Sequence, residues 1–286
     1  LSKLQTLIEQ VDAEMQDYNL NKVVPPLVEF IEYLTNWYIR LSRRRFWKSE
    51  NDGDKFAAYS TLYTVLVDFS KILAPILPFI TDFIYTRLTK AIQVSNPHSV
   101  HLCDFPVANK SLQNRGLEEK MDLVRKAVEL GRSLRSVHQL KTRQPLKSVS
   151  VVVKNETHQK YFEELADLIR SELNVKVVVV SSNEENFVNR SAKPNLKLLG
   201  KVLGKQMKEA TEIIKAFGNK EVGLLENGGT IDVLGQTLTL EHILIERIPK
   251  VGFVVESDGG ITVALDTELD KELEKEGLAR ELVNRI

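Results

Sequence analysis

Apolar residues in the first third of the chain recur at the three- and four-residue spacing of amphipathic helices. A first helix is predicted by a stripe that begins at Leu4 and ends at Met15. A longer second helix is predicted from about Asn21 to Trp47. The apolar stripe of the second helix consists of Val24, Leu27, Ile31, Leu34, Tyr38 and Leu41.

Two further helices are predicted before residue 95. The third follows the break at Asp52-Gly53 and ends near Pro75, and the fourth begins near Phe79. Proline ends a helix because it lacks the backbone donor and clashes with the preceding turn. The residues predicted to face the core of these two helices are Phe56, Tyr59, Tyr63, Leu66, Val67, Ile72, Phe83, Ile84, Leu88 and Ile92. Short connections favour antiparallel packing, so an antiparallel bundle of four or five helices is predicted.

The rest of the chain mixes the helical period with short β-branched runs. A helix is predicted for residues 116–138, and Pro145 turns the chain after it. Residues 148–154 and 175–180 are predicted strands on either side of a helix, which together form a β-α-β unit. The fold class is therefore α+β. The predicted domains are a helical bundle over 1–112, a connecting helix and linker over 113–147, and a mixed α/β region over 148–286.

Composition and charge limit the class of protein. The 286 residues, 43% of them hydrophobic, suffice for at least two cores. The net charge is zero, so any affinity for nucleic acid must come from local basic patches. The single cysteine excludes an internal disulfide, and no apolar run reaches the roughly 18 residues of a membrane span. We expect a cytoplasmic protein without membrane contact and, since both ends fall inside helical patterns, a fragment of a longer chain.

Residues 36–47 contain the most informative polar pattern. On a helical wheel, Asn36, Arg40, Arg43 and Trp47 lie together, opposite the apolar stripe. Arginine binds phosphate through two donors, and an exposed tryptophan stacks on an unpaired base, so this face fits single-stranded or loop RNA. The structural alternative is a solvated basic helix end with Trp47 folded under a loop.

A second basic segment covers residues 120–147, where lysine and arginine far outnumber acidic residues. Its predicted RNA contacts are Arg132, Arg135, Lys141, Arg143 and Gln144. A row of lysines on a helix predicted over residues 197–217 fits phosphate contact and simple solvation equally well.

Residues of the types used in catalysis or metal binding are sparse. His98, His101 and Cys103 form the one cluster with metal-ligand chemistry, but no second pair completes a zinc site. The histidines have no nucleophile beside them. We therefore expect a binding protein with no catalytic residue, metal site or cofactor in this chain.

Seven segments resemble the isoleucyl-tRNA synthetases, a class I family. They are Asn-Leu-Asn-Lys-Val-Val at 19–24, Asn-Trp-Tyr-Ile-Arg-Leu-Ser-Arg-Arg-Arg-Phe-Trp at 36–47, Ala-Pro-Ile-Leu-Pro-Phe at 74–79, Ser-Val-His-Leu-Cys-Asp-Phe-Pro at 99–106, Leu-Lys-Thr-Arg-Gln-Pro-Leu at 140–146, Lys-Pro-Asn-Leu-Lys-Leu-Leu-Gly at 193–200 and Glu-Gly-Leu-Ala-Arg-Glu-Leu-Val-Asn-Arg-Ile at 276–286. The valyl and leucyl families share the bundle, whereas the later segments favour the isoleucyl family. The chain lacks the cysteine-rich zinc tail of one bacterial branch. In this respect the chain resembles the eukaryote-like branch of the family.

The resemblance implies a C-terminal fragment whose bundle is the anticodon-binding domain. Such a domain recognises the anticodon stem and loop of isoleucine tRNA and positions the tRNA for ATP-dependent aminoacylation. The family's ATP-binding elements, His-Ile-Gly-His and Lys-Met-Ser-Lys-Ser, are missing. ATP and Mg therefore belong to the parent enzyme, and the fragment alone is expected to be inactive.

The resemblance also implies partners and contact residues. The expected partners are isoleucine tRNA and the catalytic and editing domains of the same parent chain, and we expect a monomer. The expected RNA contacts on the bundle are Asn36, Arg40, Arg43, Arg44 and Trp47. Two alternatives remain open at this point: the equivalent region of a valyl- or leucyl-tRNA synthetase, or a protein-docking scaffold that uses the α/β region.

Overall fold

A computed structural model describes residues 1–48, 50, 52–90, 97–203, 206–226 and 228–283. The chain divides into two compact units, Leu1–Glu119 and Lys120–Ile286. This division falls inside the predicted connecting segment. The finer three-part division, with boundaries after residues 112 and 147, stays a prediction. In the described part of the chain, every helix is too short or too polar to cross a membrane.

The first unit is a helical bundle, as predicted. Its helices are α1 (Ser2–Gln16), α2 (Leu20–Tyr33), α3 (Arg43–Trp47), α4 (Gly53–Leu73) and α5 (Pro78–Thr89). Residues Leu34–Ile39 form π-helical turns directly after α2. The main core of this unit is formed by side chains of α1, α2 and α4 together with Leu34. Its buried members are Leu4, Leu7, Ile8, Val11, Val23, Leu27, Phe30, Leu34, Val65, Phe69 and Ile72.

The predicted core face of the second helix is confirmed at Leu27 and Leu34 but is one position off at two other places. The structure buries Val23 and Phe30, whereas their neighbours Val24 and Ile31 are exposed. Each pair is apolar at both positions, so the period alone could not decide which member faces the core. The ring of Phe30 packs against that of Phe69, with 5.0 Å between the centroids. The predicted single helix to Trp47 is also interrupted by π-helical turns and by a non-helical Ser42.

The predicted core of helices α4 and α5 is confirmed at Ile72 but is wrong at several other positions. The predicted core residues that are exposed are Phe56, Tyr59, Phe83 and Ile84, and Ile92 lies outside the described residues. Helix α5 buries Thr81, Tyr85 and Thr89 instead. The hydroxyl of Thr81 donates to the Leu77 carbonyl at 2.7 Å, and that of Thr89 donates to Tyr85 at 2.8 Å. Such internal bonds let threonine enter a core without an unsatisfied polar group.

Helix α6 (Arg115–Val137) contains the division between the two units, and a mixed α/β arrangement follows it. The elements after it are β1 (Leu146–Val152), α7 (Glu156–Glu164), α8 (Ala166–Leu173), β2 (Val175–Ser181), β3 (Val188–Pro194), α9 (Leu196–Leu203), α10 (Met207–Lys215), α11 (Asn219–Glu226), β4 (Ile231–Val233), β5 (Gln236–Leu238), β6 (Ile243–Pro249), β7 (Phe253–Asp258), β8 (Ile261–Asp266) and α12 (Lys271–Val283).

The strands described in the second unit form three sheets. The largest has the order β2-β1-β8-β7, with β1 parallel to β2 and antiparallel to β8. The predicted β-α-β unit is confirmed, because α7 and α8 connect the parallel strands β1 and β2. Strands β3 and β6 form an antiparallel pair, as do β4 and β5. A separate core involves α9, α10 and α11, centred on Leu199, Ile214 and Leu225.

Candidate nucleic-acid interface

Helix α3 and the turns before it present a basic and aromatic face to solvent. The side chain of Trp47 is 81% exposed, so it is not folded under a loop. Asn36, Arg40, Arg43 and Arg44 are exposed as well. Within the part of the chain that the structure describes, neither Arg43 nor Arg44 has an ion-pair partner. The predicted exterior position of these residues is confirmed, whereas their contact with RNA stays a prediction.

The buried ring of Phe46 directs one side of α3 toward the core. It packs edge-on against Tyr59 at 5.1 Å and against Tyr38 at 6.5 Å between ring centroids. The Tyr59 hydroxyl also donates a hydrogen bond to the Phe46 carbonyl at 3.3 Å. Neighbouring residues on a helix point about 100° apart. Burial of Phe46 therefore turns Trp47 away from the core.

Arg45 does not belong to the exposed face. Its Nε donates to Asp54 Oδ1 at 2.8 Å, and its Nη2 donates to the Asp54 carbonyl at 3.2 Å. Lys48 Nζ binds Asp52 Oδ2 at 2.6 Å and Asp54 Oδ2 at 3.2 Å. Asp52 Oδ1 in turn accepts from the Lys55 backbone nitrogen at 2.9 Å, which caps α4. We refer to Arg45, Lys48, Asp52 and Asp54 as the charge clamp.

The charge clamp favours the ionised form of both carboxyl groups. The hydrogen bond from Lys48 lowers the pKa of Asp52, and the hydrogen bonds from Arg45 and Lys48 lower that of Asp54. The bond to Asp52 is the main cause that raises the pKa of Lys48. Both pairs are therefore charged at neutral pH. In the sequence, two acidic residues follow an arginine run at a helix start. That pattern predicts a helix break but does not predict these ion pairs.

Arg135, a predicted RNA contact of the second basic segment, is buried instead. Its side chain is 3% exposed, and burial lowers its pKa to about 10. Its guanidinium donates to the carbonyls of Lys141 at 2.8 Å, Gln144 at 3.1 Å and Asn174 at 3.2 Å. The predicted surface position of Arg135 is wrong, because backbone carbonyls of the loop after α6 and of Asn174 accept hydrogen bonds from its guanidinium.

Gln144 and Arg132 also make contacts within the fold. Gln144 Nε2 donates to the Leu273 carbonyl of α12 at 2.7 Å. A Cβ atom at Gly277 would overlap the Gln144 amide, so glycine permits this close packing. Arg132 forms an ion pair with Glu172 on α8.

Two predicted contacts of the second segment do face solvent. Lys141 and Arg143 are exposed, and Lys141 Nζ lies 3.5 Å from a carboxylate oxygen of Glu281. The loop 141–144 lines a pocket of about 380 Å³ together with Gly277 and its neighbours on α12. Of the five predicted residues, two are therefore exposed, two are partly buried and one is buried.

The predicted lysine row is not on one helix. The structure places Lys197 on α9 and Lys208 and Lys215 on α10. Lys205 lies outside the described residues.

A polar pocket of about 630 Å³ in the second unit was not anticipated from the sequence. Buried Glu184 accepts from Arg190 Nε at 2.8 Å and from Arg247 Nε at 3.1 Å. Burial raises the pKa of Glu184, but the charges and hydrogen bonds of Arg247 and Arg190 outweigh it and leave the pKa below its ordinary value. Glu226 lies 2.9 Å from Arg247 Nη2, so the charges in the pocket largely cancel.

The described residues contain no group of three or more histidine, cysteine, aspartate or glutamate side chains placed to hold a metal ion. His101 Nε2 lies 3.2 Å from the Pro78 carbonyl, and Cys103 Sγ donates to the Ser99 carbonyl at 3.7 Å. These two members of the histidine and cysteine cluster make backbone contacts.

Comparison with known proteins gives one family match and several close relatives. The family model "Anticodon-binding domain of tRNA ligase" matches residues 1–151. The chain is 44% identical to an isoleucine–tRNA ligase of Treponema denticola, 43% to one of Protochlamydia amoebophila and 42% to one of Chlamydia trachomatis. Each match covers 100% of this chain but only 26%, 28% and 28% of the relative, respectively. The chain spans about a quarter of the length of these curated relatives.

Proposed function

The chain belongs to the anticodon-binding domain family of tRNA ligases, and on that premise we propose that its first unit binds the anticodon stem and loop of isoleucine tRNA. The chain would position that tRNA for aminoacylation by an isoleucine–tRNA ligase, with the ATP- and Mg-dependent chemistry in domains outside these residues. The choice of isoleucine is supported by relatives that are isoleucine–tRNA ligases at 42–44% identity. A eukaryote-like branch and a monomeric state stay predictions.

The observation that carries this proposal is the exposed tryptophan beside exposed arginines. Trp47 is 81% exposed at the end of α3, next to Arg43 and Arg44. Anticodon bases are unpaired, so their faces can stack on an exposed aromatic ring, whereas bases inside a duplex stack on each other. The guanidinium groups supply phosphate contacts that fix the register of the RNA.

A titration of the chain with isoleucine tRNA and with a noncognate tRNA, at several salt concentrations, tests the proposal. We expect tighter binding of isoleucine tRNA and a steep loss of affinity with salt, because each phosphate contact releases condensed cations. Equal affinity for both tRNAs, or affinity without salt dependence, would contradict it. For variants of Arg43 and Trp47, the matched control is the pair Phe83 and Arg87 on α5. Both are exposed, and the Arg87 guanidinium carbon lies 5.0 Å from the centroid of the Phe83 ring.

A second function, docking onto another protein surface, is favoured by the apolar face of α5. Phe79 is 90% exposed, and Ile80 and Phe83 are exposed beside it. Burial of such a face would depend little on salt. Binding to another protein that is independent of salt, unaffected by Arg43→Ala with Trp47→Ala, and lost with Phe79→Ser would favour this second function.

A further inference from the structure

We propose that the charge clamp positions α3 so that Arg43, Arg44 and Trp47 face the RNA. Of the three consecutive arginines, two would contact RNA, and the third, Arg45, would hold the helix in place. Asp52 and Asp54 would then be positioning residues for RNA binding although neither touches RNA. This inference rests on the proposed function and adds the residues that orient its binding face.

Helix α3 needs external support because it is short. It comprises five residues, Arg43–Trp47, far fewer than an isolated helix needs to persist in water. Ser42 before it has φ −84° and ψ 1°, and Lys48 after it is extended, so the helix is not continued at either end. The ring and the carbonyl of Phe46 both contact Tyr59, so these contacts hold α3 at one residue only.

The charge clamp supplies further points of attachment, all to the start of α4. Arg45 contacts both the carboxylate and the carbonyl of Asp54. Lys48 bridges the carboxylates of Asp52 and Asp54, and its own carbonyl accepts from Lys55 Nζ at 2.8 Å. The clamp therefore connects the last turn of α3 and the residue after it to one helix start. Single exposed ion pairs contribute little to stability, so the expected effect is on orientation more than on folding.

Because the clamp contains acidic residues, the inference predicts an unusual direction for the change in RNA affinity when one of them is neutralised. Asp52 and Asp54 place negative charge close to a face proposed to bind a polyanion. By electrostatics alone, neutralising either one would strengthen RNA binding. If the clamp positions α3, neutralising Asp54 weakens RNA binding instead. The two mechanisms predict opposite directions for the same substitution.

The first test is Asp54→Asn in the full chain, titrated with isoleucine tRNA. We expect affinity to fall about three- to fivefold, the upper range for an exposed charge network, with an unchanged salt slope because no phosphate contact is removed. The matched control is Asp68→Asn, which removes the same charge from α4, where Asp68 pairs with Lys71 at 3.1 Å. The control should bind as the parent does or slightly tighter. Parental or tighter binding by Asp54→Asn would overturn the inference.

A charge exchange separates the clamp from direct RNA contact by Arg45. We expect Arg45→Asp to weaken binding and the double variant Arg45→Asp with Asp54→Arg to recover most of the loss, because the ion pair is restored in reverse. If Arg45 itself contacts a phosphate, the double variant stays weak, and the salt slope flattens by about one unit per lost contact. That result would also overturn the inference.

Tryptophan fluorescence reports on α3 without RNA. The chain has two tryptophans, and Trp37 is 3% exposed, so the emission that acrylamide quenches belongs to Trp47. Asp54→Asn should lower the anisotropy of that emission while the thermal midpoint stays at the parental value. A lower midpoint with unchanged anisotropy would indicate a purely structural role and contradict the inference.

These tests also distinguish failure of the inference from failure of the proposed function. If Arg43→Ala with Trp47→Ala does not weaken tRNA binding, the proposed function fails, and the fluorescence result alone decides whether the clamp orients α3. If that double variant weakens binding but Asp54→Asn does not, only the inference about the clamp fails.

Discussion

Helix α3 and the segment from Arg132 to Gln144 have similar basic sequences, but the structure uses their charged groups differently. On α3, Arg43 and Arg44 face solvent, and only Arg45 is engaged by the fold. In the second segment, Arg135 is buried against three backbone carbonyls, and Arg132 pairs with a glutamate.

The difference follows from the backbone around each arginine. The loop after α6 leaves carbonyl groups without helical donors, and a guanidinium with five donors can satisfy several of them at once. The exposed arginines of α3 have no comparable backbone acceptors among the described contacts. The number of basic residues in a segment is therefore a poor guide to binding. The number of backbone acceptors that the local fold leaves open is a better one.

The largest effect that would test this comparison is on stability, at Arg135. We expect Arg135→Met to lower the free energy of unfolding by about 3 kcal/mol, because three backbone carbonyls lose the guanidinium as a donor, although two of them keep a bond from a backbone nitrogen. Chemical denaturation followed by circular dichroism measures this loss. The matched control, Arg143→Met in the same loop, should change stability by less than about 0.5 kcal/mol. Equal effects of the two substitutions would remove the distinction between buried and exposed arginines.

The next largest effect is on binding, at α3. We expect Arg43→Ala with Trp47→Ala to weaken tRNA binding, the tryptophan part by about 1 to 3 kcal/mol without dependence on salt. The arginine part should flatten the salt slope by about one unit. Filter-binding titrations at several salt concentrations separate the two parts, and Phe83→Ala with Arg87→Ala is the control. An unchanged affinity and slope would indicate that the RNA contacts lie elsewhere, and Lys141 and Arg143 would be the next candidates.

A smaller effect is expected where the loop packs on α12. Gly277→Ala introduces a Cβ that overlaps the Gln144 amide, so the side chain must move and lose its bond to the Leu273 carbonyl. We expect a loss of stability of about 1 to 2 kcal/mol, measured by thermal or chemical unfolding. Gly53→Ala is the control, because a Cβ there meets no atom within 4 Å. If both variants unfold alike, Gln144 is not held as the structure indicates.

The smallest effect is the response of the charge clamp to pH. The pKa values of Asp52 and Asp54 lie below the ordinary 3.8, so their contribution is fully present above that value and is lost as pH falls through the lowered values. We expect the anisotropy of Trp47 to stay constant from pH 7 to about pH 4 and to fall only in stronger acid. A transition near neutral pH would show that another group controls α3.

Periodicity was sufficient to predict the architecture and insufficient to predict which side chain of an apolar pair is buried. The four long helices and the β-α-β unit were predicted because each has many residues that repeat with one period. The choice between Val23 and Val24 depends on which helix packs alongside, and a single-sequence pattern does not contain that information. Burial of Thr81 and Thr89 was not predicted, because their polarity suggests exposure. A hydrogen bond within the helix satisfies each hydroxyl and allows its burial.

The candidate site was predicted in part for related reasons. Exposure of Trp47 and Arg43 followed from the helical wheel, since both lie opposite the stripe. The roles of Asp54 and Arg135 could not follow from it, because each depends on contacts with residues outside its own helix. Sequence patterns describe one helix at a time, whereas both of these side chains connect two elements.

The π-helical turns at Leu34–Ile39 make the direction of the binding face depend on chain length. Such turns hold one more residue than an α-helical turn, so removing one residue would restore regular helix and rotate everything after it by about 100°. Arg43 and Trp47 would then face another direction even with every remaining side chain unchanged. Related sequences should consequently tolerate substitutions between Leu34 and Arg43 more readily than insertions or deletions, and an alignment with frequent gaps there would contradict this view.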